Sequence, residues 1–229
     1  DFDFILPKEK IAQHPSEKRD HSRLMVVNKE TQKISHHHFY EIIDELDDND
    51  VLVINDTKVI PARLMGLKQE TNAVIEVLLL KELEKDTWEA MTKPAKRVKL
   101  GTKIHFETLL TAECIGIKEE GIRVFKLSYD GIFIEVLEKL GTMPLPPYIT
   151  EVLAEQDRYQ TVYAKDLGSA AAPTAGLHFT KALLKKIEDK GIEIIPVTLH
   201  VGLGTFKPVS ETDITKHHMH EETYTLTKE

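Results

Sequence analysis

One cysteine, one tryptophan and no long apolar run are the first absences in this chain of 229 residues. The lone Cys114 cannot close an internal disulfide or build a cysteine zinc site, which excludes a disulfide-stapled scaffold and points to a reducing compartment. Its setting, AECIGI, reads as that of a buried structural thiol. No stretch approaches the roughly 20 apolar residues that span a bilayer. The opening residues, DFDFILPKEK, carry no signal-peptide pattern. The expectation is a soluble, cytoplasmic protein with no membrane partner. Positive charge is also short: 30 Lys+Arg against 38 Asp+Glu leave a net charge of −8. A general nucleic-acid coat is thereby excluded, because phosphate binding needs clustered positive charge. Any nucleic-acid contact must use a local basic patch.

The 41% of hydrophobic residues is enough for a buried core, in one large or two small domains. Phe39, Ile42, Ile43 and Leu46 recur at helical spacing and predict an amphipathic α-helix, with the acidic run 44–50 as its solvated end and turn. VLVIN (51–55) predicts a strand buried on both faces. Between about 59 and 130 the texture changes to six strand-like runs, VIPARLMGLK, AVIEVLLLKE, TWEAMTKPA, TKIHFE, LTAECIGIKE and IRVFKLSYD, separated by turn signals. That succession predicts a six-stranded barrel or sandwich. Helical spacing returns at Ile132, Val136, Leu137 and Leu140, with Gly141 as C-cap. A second helix has Thr180 as N-cap, Leu183, Leu184 and Ile187 as its stripe, and Gly191 as its end. IEIIPVTLHV (192–201) predicts another buried strand, with Pro196 favouring an edge position or a bulge. The expected architecture is α/β: a discontinuous α/β domain (1–58 and 131–229) interrupted by an inserted all-β barrel-like domain (59–130). Residue 1 is Asp, and Thr227 would cap a helix with nothing after it, so the sequence is expected to continue at its C-terminus.

Five segments invite a chemical reading. Lys93, Lys96, Arg97, Lys99 and Lys103 follow one another with no acid between Glu89 and Glu107. In an acidic chain this reads either as a phosphate footprint or as the charged face of a hairpin. MPLPPYI (143–149) contains PxxP, but its place between folded segments favours an ordered loop that positions Tyr148. The small-residue stretch 157–180 presents Tyr159, Thr161, Tyr163, Thr174 and His178 just before a helix N-terminus, where backbone approach and anion binding are both favoured. LHVGLGTFKPV (199–209) runs from a strand into Gly202 and Gly204, with Lys207 in place of the third glycine of a dinucleotide fingerprint. His217-His218-Met219-His220-Glu221-Glu222 offers metal-ligand types, yet lacks HExxH and any known closed zinc spacing, so no metal is assigned. The histidines 36–38 are expected to be exposed and receive no role.

Taken together, SRLMVV (22–27), NDTKVIPARL (55–64), KPAKR (93–97), GTMPLPPYI (141–149), RYQTVYAK (158–165), AAPTAGLHFT (171–180), VTLHVGLGTFKPV (197–209) and HHMHEE (217–222) resemble the S-adenosylmethionine:tRNA ribosyltransferase-isomerase family of the queuosine pathway. The resemblance runs through essentially the whole chain. Lys58 and Lys207 stand where that family often has Arg, and further family motifs are expected beyond residue 229. The resemblance implies transfer of the ribosyl part of S-adenosylmethionine onto the aminomethyl nitrogen of 7-aminomethyl-7-deazaguanine at the tRNA wobble position. The sugar rearranges, giving epoxyqueuosine, adenine and methionine. S-adenosylmethionine would be consumed as co-substrate, with no resident cofactor and no metal.

For that chemistry His178 and His200 suit proton transfer, because imidazole titrates near neutrality. Tyr163 joins them as a candidate catalytic residue. Tyr148, Tyr163, Phe179 and Phe206 offer aromatic faces for the sulfonium cation. Substrate binding is assigned to Arg63, Tyr148, Tyr159, Thr161, Pro173, Thr174 and Gly176, and to Gly202, Gly204, Thr205 and His220. Lys93, Lys96, Arg97 and Lys99, with help from Arg63, are assigned to tRNA phosphates. The protein is expected to act as a monomer. Two rival readings are a non-catalytic tRNA-binding module, which would have no use for the small-residue loop, and a metallohydrolase built on the 217–222 histidines.

Overall fold

The computed structural model describes residues 4–151, 153–202, 211–217, 219 and 222–225. An antiparallel ribbon comes first, β1 (Arg23–Val27) and β2 (Ile34–His38), with Arg23 opposite His38. A 3-10 helix over Phe39–Glu45 follows, then β3 (Val51–Asn55) and β4 (Thr57–Val59). The α-helix expected at 39–46 is thus a 3-10 helix, although its apolar stripe is right: Phe39, Ile42, Ile43 and Leu46 all enter one core. Two adjacent β-branched residues and acids at the C-terminal end both disfavour α-winding in so short a segment, so packing holds it instead.

The six runs expected between 59 and 130 are all strands: β5 (Arg63–Lys68), β6 (Val74–Glu84), β7 (Thr87–Lys93), β8 (Lys103–Phe106), β9 (Leu110–Ile117) and β10 (Arg123–Tyr129). Antiparallel neighbours run β5-β6-β7-β10-β9-β8, and β8 pairs back onto β5 through Leu67 with His105 and Lys68 with Ile104. Closure leaves the barrel no free edge. Period-2 alternation sends Leu64, Ile75, Val77, Leu79, Ile104, Phe106 and Phe125 inward, where each is nearly or fully buried. Met65, Leu67, Val74 and Met91 alternate outward and are exposed. Cys114 is an inward position, as expected, and burial pushes its thiol up from the ordinary value.

After the barrel, α1 (Phe133–Leu140) sends Val136 and Leu137 into the barrel core, and β11 (Gly141–Thr142) pairs with β5. Gly141 is the C-cap, but its φ of −94° is ordinary extended backbone. Space is what demands glycine: a Cβ there would lie 1.9 Å from the Pro61 carbonyl oxygen and 2.8 Å from that of Leu137. Gly141→Ala is therefore expected to destabilise the fold by about 1–3 kcal/mol, the range of an overpacked site. A urea midpoint equal to that of the parent would contradict the clash.

β12 (Asp166–Ser169) lies parallel to β4, Asp166 beside Thr57. α2 (Lys181–Asp189) is capped as expected, the Leu183 N–H donating to Thr180 Oγ1 at 3.1 Å, and Gly191 with φ +94° ends it. β13 (Glu193–His200) then pairs parallel with β3, Glu193 beside Val51, and antiparallel with β14 (Thr223–Thr225). Strands from either side of the barrel in sequence thus share one sheet. Among the described residues the pairing with β14 is placed from Thr198 onward, and Pro196 lies opposite Ile54 of β3.

The burial expected of two strands needs correction. VLVIN and IEIIPVTLHV are not buried on both faces: Leu52 and Ile194 pack against Phe39, Phe179, Leu183 and Ile187, while Val51, Val53 and Ile195 are exposed. A continuous apolar run does not by itself say how many faces are covered. The helix start expected at Thr227 lies outside the described residues, among which no helix is long and apolar enough to cross a membrane.

Candidate functional site

Residues 12–17, loop residues 145–151 and 153–155, the 3-10 helix Gln156–Tyr159, and Thr174 with Leu177 enclose a cleft of about 470 Å³. MPLPPYI is indeed an ordered loop, its turn closed by the Ile149 N–H donating to the Pro146 carbonyl at 2.9 Å. A side-chain clip ties this loop to the N-terminal arm. Gln13 Nε2 donates to the Tyr148 carbonyl at 2.9 Å, and Gln13 Oε1 accepts from the Thr150 N–H at 2.8 Å. At the other end the Arg158 guanidinium donates to the carbonyls of Glu17 (3.0 Å) and Ser16 (2.6 Å). Tyr148 stands exposed at the cleft, whereas Tyr159 is buried, and burial pushes its phenol up. Leu145, Ile149, Leu153 and Leu177 supply apolar wall, and Glu17, Glu151 and Glu155 supply negative charge. Arg158 keeps its charge while donating to backbone carbonyls, but three lining glutamates outnumber it, so the cleft suits an apolar or aromatic body that carries positive charge.

The small-residue stretch folds tightly beside this cleft. Ala170, Ala171 and Ala172 are buried, and Gln160 bridges the N–H and C=O of Val59 at 3.0 and 2.7 Å. At Gly176 a Cβ would lie 2.3 Å from the Tyr163 hydroxyl and 2.9 Å from Thr161 Cγ2, so only glycine lets these three meet. The Thr161 hydroxyl is buried with no hydrogen-bond partner among the described residues, and burial pushes the Tyr163 phenol up. Pro173 is the N-cap of the 3-10 helix Thr174–His178. His178 ends that helix with Nδ1 2.7 Å from Ser22 Oγ and its ring 5.1 Å from that of Phe39.

His200 lies elsewhere, at the end of β13, in a second cleft of about 510 Å³ lined by Trp88, Phe133, Gly168, Gly202 and Glu222. Its Nδ1 is 2.8 Å from the Thr57 hydroxyl, and its ring lies on Gly168, where a Cβ would come within 2.9 Å. The Gly202 N–H donates to Glu222 Oε1 at 3.2 Å. The two candidate histidines are thus separate: His178 adjoins the first cleft through Leu177, and His200 lines the second. Arg63 joins neither; it starts β5 on the barrel, with Nε 3.9 Å from Glu76 Oε1. Gly204, Thr205, Phe206 and His220 lie outside the described residues, as do His218 and Glu221 of the histidine run. Among the described residues no group of three His, Cys, Asp or Glu side chains is placed to hold a metal ion.

The basic stretch forms the connection from β7 to β8, including a 3-10 helix over Ala95–Arg97. Buried Arg123 shapes it from beneath, donating to the carbonyls of Val98 (2.9 Å), Ala95 (2.8 Å) and Gly121 (2.7 Å). Lys103 pairs with Glu113 at 3.5 Å, whereas Lys93, Lys96, Arg97 and Lys99 are exposed and make no ion pair among the described residues. Lys93 at the end of β7 and the three cations that follow it, without an ion pair among the described residues, form a positively charged surface.

The family model described as "Queuosine biosynthesis protein" matches residues 1–229. The chain belongs to this family. Among solved structures it is similar to the S-adenosylmethionine tRNA ribosyltransferase of Thermotoga maritima, at 37% sequence identity over 87% of this chain and 58% of that one, with a TM-score of 0.36. This member of the queuosine biosynthesis family thus spans 58% of the length of that relative. Sequence reasoning missed Gln13, Arg19, Ser22, Thr57 and Arg158. Ser22, Thr57 and Arg158 do fall inside segments that carry the family resemblance, which is the one signal that marked them.

Proposed function

We propose that the full-length protein transfers and isomerises the ribosyl part of S-adenosylmethionine onto 7-aminomethyl-7-deazaguanine at the wobble position of a tRNA, giving epoxyqueuosine, adenine and methionine. The observation that carries this reading is the meeting at one cleft of residues from three segments by which the chain resembles that family: 141–149, 158–165 and 171–180. Its apolar walls and two tyrosines suit an adenosine, and its glutamates suit the adjoining sulfonium. Proton removal beside the sulfonium needs a base, a role assigned to His178 next to the cleft; His200 is the second histidine to test. Tyr163, over Gly176, borders the same turn. S-adenosylmethionine is consumed as co-substrate, and the reading assigns no metal or resident cofactor.

Lys93 at the end of β7 and Lys96, Arg97 and Lys99 after it are assigned to tRNA phosphates, leaving base recognition to other groups. Lys96→Ala with Arg97→Ala is expected to weaken tRNA binding and to lower its salt slope by about one unit for each phosphate no longer neutralised. Because both side chains are exposed, the fold should be unaffected. An unchanged slope would remove the loop from the interface. The reading as a whole is tested by incubating full-length protein with S-adenosylmethionine and aminomethyl-deazaguanine tRNA. Adenine should be released only when both substrates are present; a protein that binds the tRNA but releases no adenine would be a binding module.

A further inference from the structure

We infer that Ser22 is the positioning residue of His178, occupying Nδ1 so that Nε2 is the nitrogen presented for proton exchange; the inference rests on the proton-transfer role proposed for His178. Ser22 Oγ lies 2.7 Å from Nδ1, and Nε2 makes no hydrogen bond among the described residues. Nor is Nε2 one of the buried polar atoms left without a partner, which are Arg63 Nε, Trp88 Nε1, Thr92 Oγ1, Arg158 Nε and Thr161 Oγ1.

The serine is itself held. Its carbonyl accepts from the Phe39 N–H at 2.8 Å, and the Phe39 ring packs against both His178 and Phe179, with centroids 5.1 and 4.9 Å away. Neighbours of Ser22 fix the same turn. The Arg19 guanidinium donates to the Leu177 carbonyl at 3.2 Å, and the Thr180 hydroxyl donates to Asp20 Oδ2 at 3.3 Å. Residues 19–22 therefore brace 177–180 at three points, Leu177, His178 and Thr180.

A hydroxyl suits this task because it can accept from a protonated Nδ1 or donate to a bare one. For a base working through Nε2, the neutral ring carries its proton on Nδ1 and donates it to Ser22 Oγ. The serine proton then points to the Arg19 carbonyl, 3.4 Å away. When Nε2 gains a proton, neither of those bonds has to change, so the ring turns neither before nor after the transfer.

The test uses full-length protein carrying Ser22→Ala, Ser22→Thr or His178→Gln. Ser22→Ala should lower kcat by on the order of 10- to 100-fold, as for a reacting group displaced by a fraction of an ångström, with KM for S-adenosylmethionine within about two-fold. Ser22→Thr should recover most of that loss. Nitrogen-15 histidine NMR supplies a readout that needs no activity: the His178 ring should be the Nδ1–H tautomer in the parent and in Ser22→Thr, and a mixture in Ser22→Ala. An Nε2–H tautomer in the parent, or a Ser22→Ala protein with unchanged kcat, would overturn the positioning role. Retained turnover in His178→Gln would instead overturn the base assignment beneath it, so the two failures are distinct.

Discussion

His178→Gln is expected to lower turnover by on the order of 10²–10⁴-fold, the range general-base catalysis contributes, while the affinity for S-adenosylmethionine changes little. The glutamine amide reaches about as far as the ring and can keep a hydrogen bond to Ser22 Oγ, which lies 2.7 Å from Nδ1 in the parent. It cannot take up a proton near neutral pH. Without the imidazole the Phe39 ring has no aromatic neighbour on that side, at a cost of about 0.5–1.5 kcal/mol in stability. Turnover should therefore be compared under conditions where circular dichroism shows both proteins folded. A folded variant with turnover within a few-fold of the parent would take the base role from His178 and transfer the question to His200, whose Nδ1 is anchored in the same way by Thr57.

Phe125→Ala should lower the unfolding free energy by about 3–5 kcal/mol, the range for a large aromatic removed from a core. Phe125 is fully buried at the middle of the barrel, opposite Trp88 on β7 and Cys114 on β9. Those neighbours belong to a closed sheet, which has no free edge along which to collapse, so much of the vacated volume should persist as a cavity. Met91→Ala supplies the contrast: Met91 faces outward from β7 and is exposed, so its loss should change stability by about 0.5 kcal/mol or less. Urea midpoints measured for the two variants at unchanged m-value decide the matter. Equal midpoints would mean that the inside and outside of the barrel have been assigned wrongly.

The strands of the barrel were legible in sequence because each is a short alternating run between turn residues, and the boundaries of α2 because Thr180 and Gly191 are chemical stop signals. Closure was less legible, since the pairing of Leu67 with His105 joins distant residues and leaves no local pattern. The same reason hid the exposed face of β3 and β13, because burial depends on what lies opposite and not on the run itself. At the site, residue types in unusual strings pointed to Tyr148, Tyr159, Thr174 and His178, and the structure places the first three at one cleft with His178 beside it. It divides His200 and Gly202 from them. Gln13, Arg19 and Arg158 were invisible because each donates to backbone carbonyls more than a hundred residues away, which any sequence can supply. Gly141 was legible for the wrong reason: a cap glycine is expected to adopt a left-handed conformation, and the structure instead needs the empty space at its Cα.

In the proposed reaction the sugar of S-adenosylmethionine, and not its methyl group, moves to the nucleic acid. Two preparations of the donor separate these fates, one labelled in the ribose and one in the methyl group, each given to full-length protein together with aminomethyl-deazaguanine tRNA. Ribose label should enter the tRNA in step with adenine release, and methyl label should leave with methionine. Methyl label in the tRNA, or tRNA free of ribose label after adenine has been released, would contradict ribosyl transfer.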